Sequence, residues 1–444
     1  MTGPLANPSF RTLFIAQVCS LVGVGLLTVA LSLAAYDLGG DAAGGRILGL
    51  LLALKMVAYV GLAPLAETLL STVSRKRAMV ALDLGRMLLL LPMVFVAATW
   101  QIAALAFVFF VLAAGFTPLF QSVIPDVLPD EADYTRALAW SRIAYTLESV
   151  LSPVLAAVVL RVVAPEQLFL FAALAFLGSV AALMATRFPV AEFLDRKGPF
   201  LKRAMRGMQI YRRTPRLRGL FLLNFALSLA MAWVLVNTVV YAGRHLGDAE
   251  HGYPILMAFY GLGAACGAVI VPRLIPRLGE RGVMIAGALA FGLLGAGFAL
   301  VPPVQALFWP VWAGFGLASS LVLTPGGLVI TRSAARKDRP AVFAAQFSLS
   351  HAGWLVAYPL AGWLGSVLSL ESALLALSAA SVAVAVVATR VWPSADPLER
   401  VHSHPELPDD HPHLRDLPAE GPAHRHVHAY HIDELHPFWM SRPA

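Results

Sequence analysis

Charge is what this sequence has least of. Only 13% of its 444 residues are Asp, Glu, Lys or Arg, while 58% are hydrophobic. Soluble chains carry about a quarter charged residues, and a water-facing protein of 47.4 kDa has no core large enough to hide so much apolar surface. A soluble enzyme or nucleic-acid binder is therefore excluded, in spite of a net charge of +7. Cysteine is nearly missing too: Cys19 and Cys266 lie in apolar runs and read as small buried hydrophobes, which excludes a disulfide-stapled secreted module. No phosphate-cradling loop with its lysine occurs, so ATP drive has no support. No motif joins nucleophile, base and oxyanion donors, so an enzyme is not expected. Histidine is scarce until the end: nine of the twelve fall after residue 400.

What is present is a series of long apolar runs. A membrane helix needs about 20 such residues. Suitable stretches fall near 10–36, 46–70, 78–98, 101–124, 137–162 and 167–186, then 217–243, 252–275, 282–301, 305–331, 341–366 and 370–392. The expected fold is an all-α membrane protein of twelve transmembrane helices in two pseudo-symmetric six-helix halves. The first run is too long for a signal-peptide core and lacks a convincing cleavage site, so it is kept as a helix. The domains expected are a first half, 1–186, a basic linker, 187–216, a second half, 217–392, and a tail, 393–444.

Basic residues set the orientation, because Lys and Arg gather on the cytoplasmic side. The segments after spans 2, 6, 8 and 10 hold twenty of them, including Arg75, Lys76 and Arg77, whereas the opposite loops hold only Arg46, Arg161 and Arg244. Both termini are thus expected in the cytoplasm. The body to Pro393 carries 29 basic and 17 acidic residues and the remainder 4 and 9, so the high isoelectric point follows from topology and not from nucleic-acid binding. The halves also repeat weakly at an offset near 206 residues: Ser152-Pro153-Val154-Leu155-Ala156-Ala157 aligns with Tyr358-Pro359-Leu360-Ala361-Gly362-Trp363. Such a repeat is the trace of an alternating-access transporter with its substrate bound between the halves.

The layout of six helices, basic loop and six helices resembles the major facilitator superfamily over about 390 residues. Asn7-Pro8-Ser9-Phe10-Arg11, with Gln17, Ser20 and Gly23, looks like the start of its twelve-helix exporter branch. Ser74-Arg75-Lys76-Arg77 leading to Asp83-Leu84-Gly85-Arg86 looks like that branch's loop between helices 2 and 3. The family pattern Gly-x-x-x-Asp-Arg is not kept: Glu67 stands at the glycine, and Ser71-Thr72 replace the Asp-Arg pair. The gate that the resemblance implies therefore falls to Glu67, Arg75, Lys76, Arg77, Asp83, Arg86 and Pro153. Span 5 resembles the antiporter motif Gly-x-x-x-Gly-Pro-x-x-Gly-Gly. It keeps Pro153 with small Ser152, Ala156 and Ala157, but has Glu148 at the first glycine. That likeness implies export by antiport, from a multi-pass protein of the plasma (inner) membrane.

Ionisable groups at membrane depth are costly unless paired or hydrated, so each is a functional candidate. Lys55 falls near the middle of span 2. In span 5, Arg142, Tyr145, Glu148, Ser149 and Ser152 share one face at 100° per residue. Glu148 is the candidate proton carrier, with Lys55 or Arg142 as counter-charge; a permanent Arg142–Glu148 pair fixing the helix is the alternative. His351, opposite Tyr145 in the repeat, is either a hydrogen-bonded structural residue or a relay.

After Pro393 the composition changes. His402-Ser403-His404, His411-Pro412-His413 and His424-Arg425-His426-Val427-His428 are three His-x-His groups, followed by His431 and His436. They sit among prolines and acidic residues in a segment expected to be flexible and disordered. Neutral imidazoles at this spacing can converge on a borderline metal such as Ni²⁺, Co²⁺, Cu²⁺ or Zn²⁺. The tail lacks cysteine, so it is no closed Cys/His zinc module. It resembles the His-rich end of bacterial nickel-resistance exporters, which implies metal resistance through efflux. The apolar groups of Tyr430–Met440 are expected to dock on the cytoplasmic mouth. No cofactor is required for transport itself. The expected partners are the bilayer, protons and a small-molecule or metal-ion substrate, with no nucleic acid and a monomeric chain. A non-transporting membrane metal sensor is the alternative function.

Overall fold

The computed structural model describes residues 3–62, 74–128, 151–188, 200–335, 338–397, 399–404, 426–433 and 435–439, with scattered positions between 130 and 144. The body is all-α. In chain order the helices are α1 (Pro8–Val57), α2 (Arg75–Met93), α3 (Thr99–Val127), α4 (151–159), α5 (Leu168–Ala185), α6 (Phe200–Arg213), α7 (Pro215–Leu246), α8 (Ala249–Ala299), α9 (Gln305–Leu323), α10 (Gly326–Ser333), α11 (Arg339–Val367) and α12 (Leu370–Val391). Two strands follow in the tail, β1 (Glu399–His402) and β2 (His426–Ala429).

Seven helical stretches among the described residues are long and apolar enough to cross a membrane. Two of these are double length. α1 breaks at Gly40 (φ 56°) and α8 at Gly279 (φ 68°). Only glycine takes those left-handed angles cheaply, so each break turns one apolar run straight back as the next span. α2, α4 and α11 lie where the remaining expected spans fall. Helix starts follow ordinary capping: the Asn7 side chain accepts from the amides of Ser9 (2.9 Å) and Phe10 (3.2 Å), and Asp248 from that of His251 (2.9 Å). Large apolar side chains also face outward: Val158, Leu174, Val269, Leu293 and Val356 are more than half exposed. Water would penalise that surface, whereas a bilayer solvates it.

The halves meet at the end that carries Gly40. A Cβ on Gly362 would strike the Gly45 carbonyl, so α1 and α11 touch backbone to backbone there. The Ser32 and Tyr253 hydroxyls hydrogen-bond across the halves at 2.9 Å, and Arg244 reaches Asp41 at 3.5 Å. At the opposite, basic end the ion pairs among the described residues do not link the two halves: Arg75 pairs with Asp126, Glu280 with Arg332, and Arg206 with Asp338 (3.3 Å).

The linker, expected as a polar interruption, contains an amphipathic helix. α6 buries Gly207, Ile210 and Tyr211 against α11, and the Tyr211 hydroxyl donates to Gln346. The tail differs from expectation more strongly. Its described parts are ordered: β1 and β2 pair antiparallel with His402 opposite His426, and Ile432 is buried in the main core. Composition alone left this segment without a core of its own; it gains one by docking on the body.

Candidate functional site

The docking is built from arginines. Arg206 donates to the Ile432 carbonyl (3.3 Å), Arg213 to the Pro437 carbonyl (2.7 Å), and Arg216 pairs with Asp396 (2.9 Å). The guanidinium of Arg213 lies over the Phe438 ring, and those of Arg216 and Arg400 over Trp439, at 5.1, 5.1 and 4.8 Å. Charged donors thus cap tail carbonyls while two aromatic rings cover the guanidinium groups.

This arrangement draws five imidazoles together. His402 and His404 come from the end of β1, His426 and His428 from β2, and His436 from the turn after it. His402, His404, His426 and His436 are at most 5% exposed, which is unusual for residues of a polar tail. The ring nitrogens of His402, His404 and His436 lie within 4.8 Å of one another, and so do those of His402, His426 and His428. His436 Nε2 stands 2.9 Å from His402 Nε2 and 3.1 Å from His404 Nε2. Nitrogens about 2.05 Å from one tetrahedral ion would stand roughly 3.3 Å apart, so His402, His404 and His436 fit a single small ion with little movement.

The outer nitrogens are held as well. His436 Nδ1 faces Asp433 Oδ1 at 2.8 Å, His402 Nδ1 the Arg400 carbonyl at 3.0 Å, and His428 Nδ1 the Ala429 carbonyl at 2.8 Å. A proton placed on each Nδ1 leaves Nε2 bare and inward, the tautomer a metal ligand requires. Burial pushes the His402 ring down to about 4, with the neighbouring histidines adding and the Arg400 carbonyl opposing, so it is neutral near pH 7. Burial would raise Asp433, but the hydrogen bonds from the His436 ring and amide and from the Leu435 amide outweigh it and hold the carboxyl at about 2. A carboxylate is therefore in place to orient His436. His431, expected in the same set, is elsewhere: its ring is hydrogen-bonded to the Arg332 backbone. His411, His413 and His424 lie outside the described residues.

A second site sits between the halves. Lys55, near the end of α1, is followed by a π-helical stretch, Ala58–Leu62, of the kind that recurs at functional positions. The Lys55 Nζ lies 5.7 Å from the centre of the Tyr59 ring and 5.8 Å from that of Phe110. From the other half, His351 packs at a tilt against Tyr59 (5.6 Å) and Phe347 (3.9 Å). Its Nδ1 is 2.7 Å from the Phe347 carbonyl, which leaves Nε2 for a partner. The structure thus brings Lys55 and His351 together, and adds Tyr59, which no pattern in the chain singles out. Arg142, Tyr145 and Glu148 lie outside the described residues.

Of the gate set, Arg75 pairs with Asp126, and Lys76 donates to the carbonyls of Met184 (2.6 Å) and Thr186 (2.8 Å). Arg77 is exposed, and Pro153 is buried within α4. Asp83 and Arg86 form a fully buried pair, with Ser179 donating to Asp83 at 2.5 Å and the guanidinium between the rings of Phe116 (4.4 Å) and Phe176 (4.6 Å). Glu67 lies outside the described residues.

These features describe a helical bundle in two halves with polar groups between them. The sequence profile of the Major Facilitator Superfamily matches residues 13–313 and 220–418, and the chain belongs to that family. It is thus a secondary transporter and not an enzyme. Solved structures agree in fold. A point mutant of the nucleoside transporter NupG superposes with a TM-score of 0.72 at 13% identity, over 86% of this chain and 100% of that one. A bacterial homologue of the human lysosomal transporter Spinster, inward-facing and unoccupied, gives 0.65 at 15%, over 88% and 97%. A POT family transporter in complex with 5-aminolevulinic acid gives 0.69 at 11%, over 86% and 96%. No curated protein sequence matches the chain.

Proposed function

We propose that this protein is a proton-coupled antiporter that exports a borderline transition-metal ion of the Ni²⁺/Co²⁺ class from the cytoplasm. Its His tail acts as the metal collector at the cytoplasmic mouth. The observation that carries this reading is the buried imidazole set of His402, His404, His426, His428 and His436, docked through Arg206, Arg213 and Arg216 on the basic end. The Nδ1 atoms of His402 and His436 have partners in Arg400 and Asp433, and the inward Nε2 atoms of His402, His404 and His436 converge on one another, which is the arrangement a shared metal ion would use. Both termini are cytoplasmic in this reading, because the basic end faces inward, and the chain works as a monomer in a plasma (inner) membrane.

Transport runs through the space between the halves. With the halves joined at the Gly40 end, the described ion pairs leave the basic end unlatched, which supports a state open toward the tail. Glu148 carries the proton, with Lys55 as its counter-charge and His351 as a neighbouring relay. An acid in an apolar site holds its proton more tightly, and a nearby cation releases it. Lys55 also favours a second reading, in which the cargo is a small organic anion or a chelated metal, since an uncompensated ammonium repels a bare cation.

Growth of a metal-sensitive bacterial host expressing the chain separates these readings. On a panel of Ni²⁺, Co²⁺, Zn²⁺, iron chelators and antibiotics, the metal reading expects protection against Ni²⁺ or Co²⁺ alone, reduced when the chain is truncated after Pro393. Protection against antibiotics or chelators in place of metals would favour the organic cargo. An unchanged metal phenotype on truncation would remove the collector role.

A further inference from the structure

The linker region carries more arginines than the tail uses. Arg206, Arg213 and Arg216 are engaged with tail carbonyls or Asp396, but Arg212 and Arg218 are exposed and make no ion pair or hydrogen bond among the described residues. Both line an open groove of about 390 Å³. Its other walls are Met208 and Tyr211 from α6, Phe221 and Leu222 from α7, Leu349 from α11 and Val391 from α12, so it is almost wholly apolar apart from the two guanidinium heads. The volume falls within the range of roughly 300–1,000 Å³ typical of small-ligand sites.

The helix beside the groove is built for an interface. Met205, Met208 and Arg212 lie at i, i+3 and i+7 on one outward face of α6, with Met205 63% and Met208 38% exposed. An apolar stripe ending in a cation, outside the bundle and at its basic end, is the pattern of a helix lying at the level of lipid headgroups. Acyl chains reach this depth and solvate the groove, whereas water does not. Guanidiniums pair with phosphate oxygens in a fixed fork. Two of them lining one groove favour a headgroup with net negative charge over one that also carries an amine.

We propose that this groove binds one anionic diacyl phospholipid from the leaflet at the basic end, with an acyl chain against Phe221, Leu222 and Leu349 and the phosphate between Arg212 and Arg218. The bound lipid ties α6 to the start of α7 and so steadies the helix on which the tail docks. The site stands independently of the metal reading, because no ion pair or hydrogen bond joins either arginine to the described tail residues.

The test is native mass spectrometry of the full chain in detergent, offered equal amounts of phosphatidylglycerol and phosphatidylcholine. At about 1 kcal/mol per arginine near an anionic lipid and tenfold per 1.4 kcal/mol, one retained phosphatidylglycerol with a preference of roughly thirtyfold is expected. Arg212→Ala/Arg218→Ala should bring the preference to parity. Leu222→Trp, which fills the groove and leaves both charges, should release the lipid while the unfolding temperature in detergent stays near that of the parent. Equal retention of the two lipids by the parent would overturn the proposal, as would a preference surviving both variants. Displacement of the lipid by inorganic phosphate alone would also overturn it, because the arginines would then hold a headgroup anion without the groove.

Discussion

Asp433→Asn isolates the tail site with the least disturbance. Asp433 Oδ1 accepts from His436 Nδ1 at 2.8 Å, from the Leu435 amide at 2.9 Å and from the His436 amide at 2.8 Å. An asparagine keeps an acceptor oxygen for both amides, so the turn that presents His436 survives. What it removes is the charge that fixes the ring tautomer and makes Nε2 more basic. Partners of this kind are worth about 10–100-fold in metal affinity, or roughly 1.4–2.8 kcal/mol. Calorimetric titration of the purified chain with Ni²⁺ or Zn²⁺ should show that loss at unchanged stoichiometry. His436→Ala, which removes a nitrogen 2.9 Å from His402 and 3.1 Å from His404, should lose more. Parent-like affinity in both variants would refute the reasoning, since metal would then bind the tail somewhere else.

Three further outcomes follow from particular contacts. Asp83→Asn leaves Arg86 buried at 2% exposure without its counter-charge and should cost about 3–5 kcal/mol, whereas Asp83→Asn/Arg86→Met should cost less; thermal unfolding in detergent compares them. The ring of His402, held at about 4 against an ordinary value near 6.5, favours the docked tail above pH 6.5. That contribution should fade as pH drops from about 6.5 through 4, visible as faster hydrogen exchange over 426–439 in metal-free protein. Gly362→Val puts a side chain into the Gly45 carbonyl and should open the Gly40 end, read as faster labelling of a cysteine placed at Ala43 with slower transport.

The fold was readable because a bilayer reduces the problem to apolar length. Spans could be found from runs of about 20 residues, the basic clusters marked one end, and the polar stretch 187–216 separated the halves. The polar groups around Gly40 (Asp37, Asp41) and Gly279 (Arg277, Glu280) mark both turns, but that helix resumes directly on either side of a single positive-φ glycine is a backbone fact no composition carries. The sites were readable in part. Lys55 and His351 stood out as polar groups in apolar runs, but that they meet across the halves is a property of packing at a separation of 296 residues. Tyr59 carries no signal in the sequence, because a tyrosine in a membrane helix is ordinary. In the tail, the His-x-His spacing pointed to metal chemistry, yet it could not reveal which imidazoles converge. Pairing of 399–402 with 426–429 selects five and turns His431 away. Asp433 carries no signal of its own in the sequence, because orientation of a ring nitrogen is a three-dimensional fact.

The most direct test of proton-coupled metal export is transport in proteoliposomes. With Ni²⁺ or Co²⁺ outside and an acid interior, the parent should accumulate metal as protons leave, reported together by a metal-sensitive and a pH-sensitive dye. Glu148→Gln should abolish the gradient-driven accumulation while metal counterflow persists. Metal movement in the parent that is indifferent to the pH gradient, or no metal movement at all, would contradict the account.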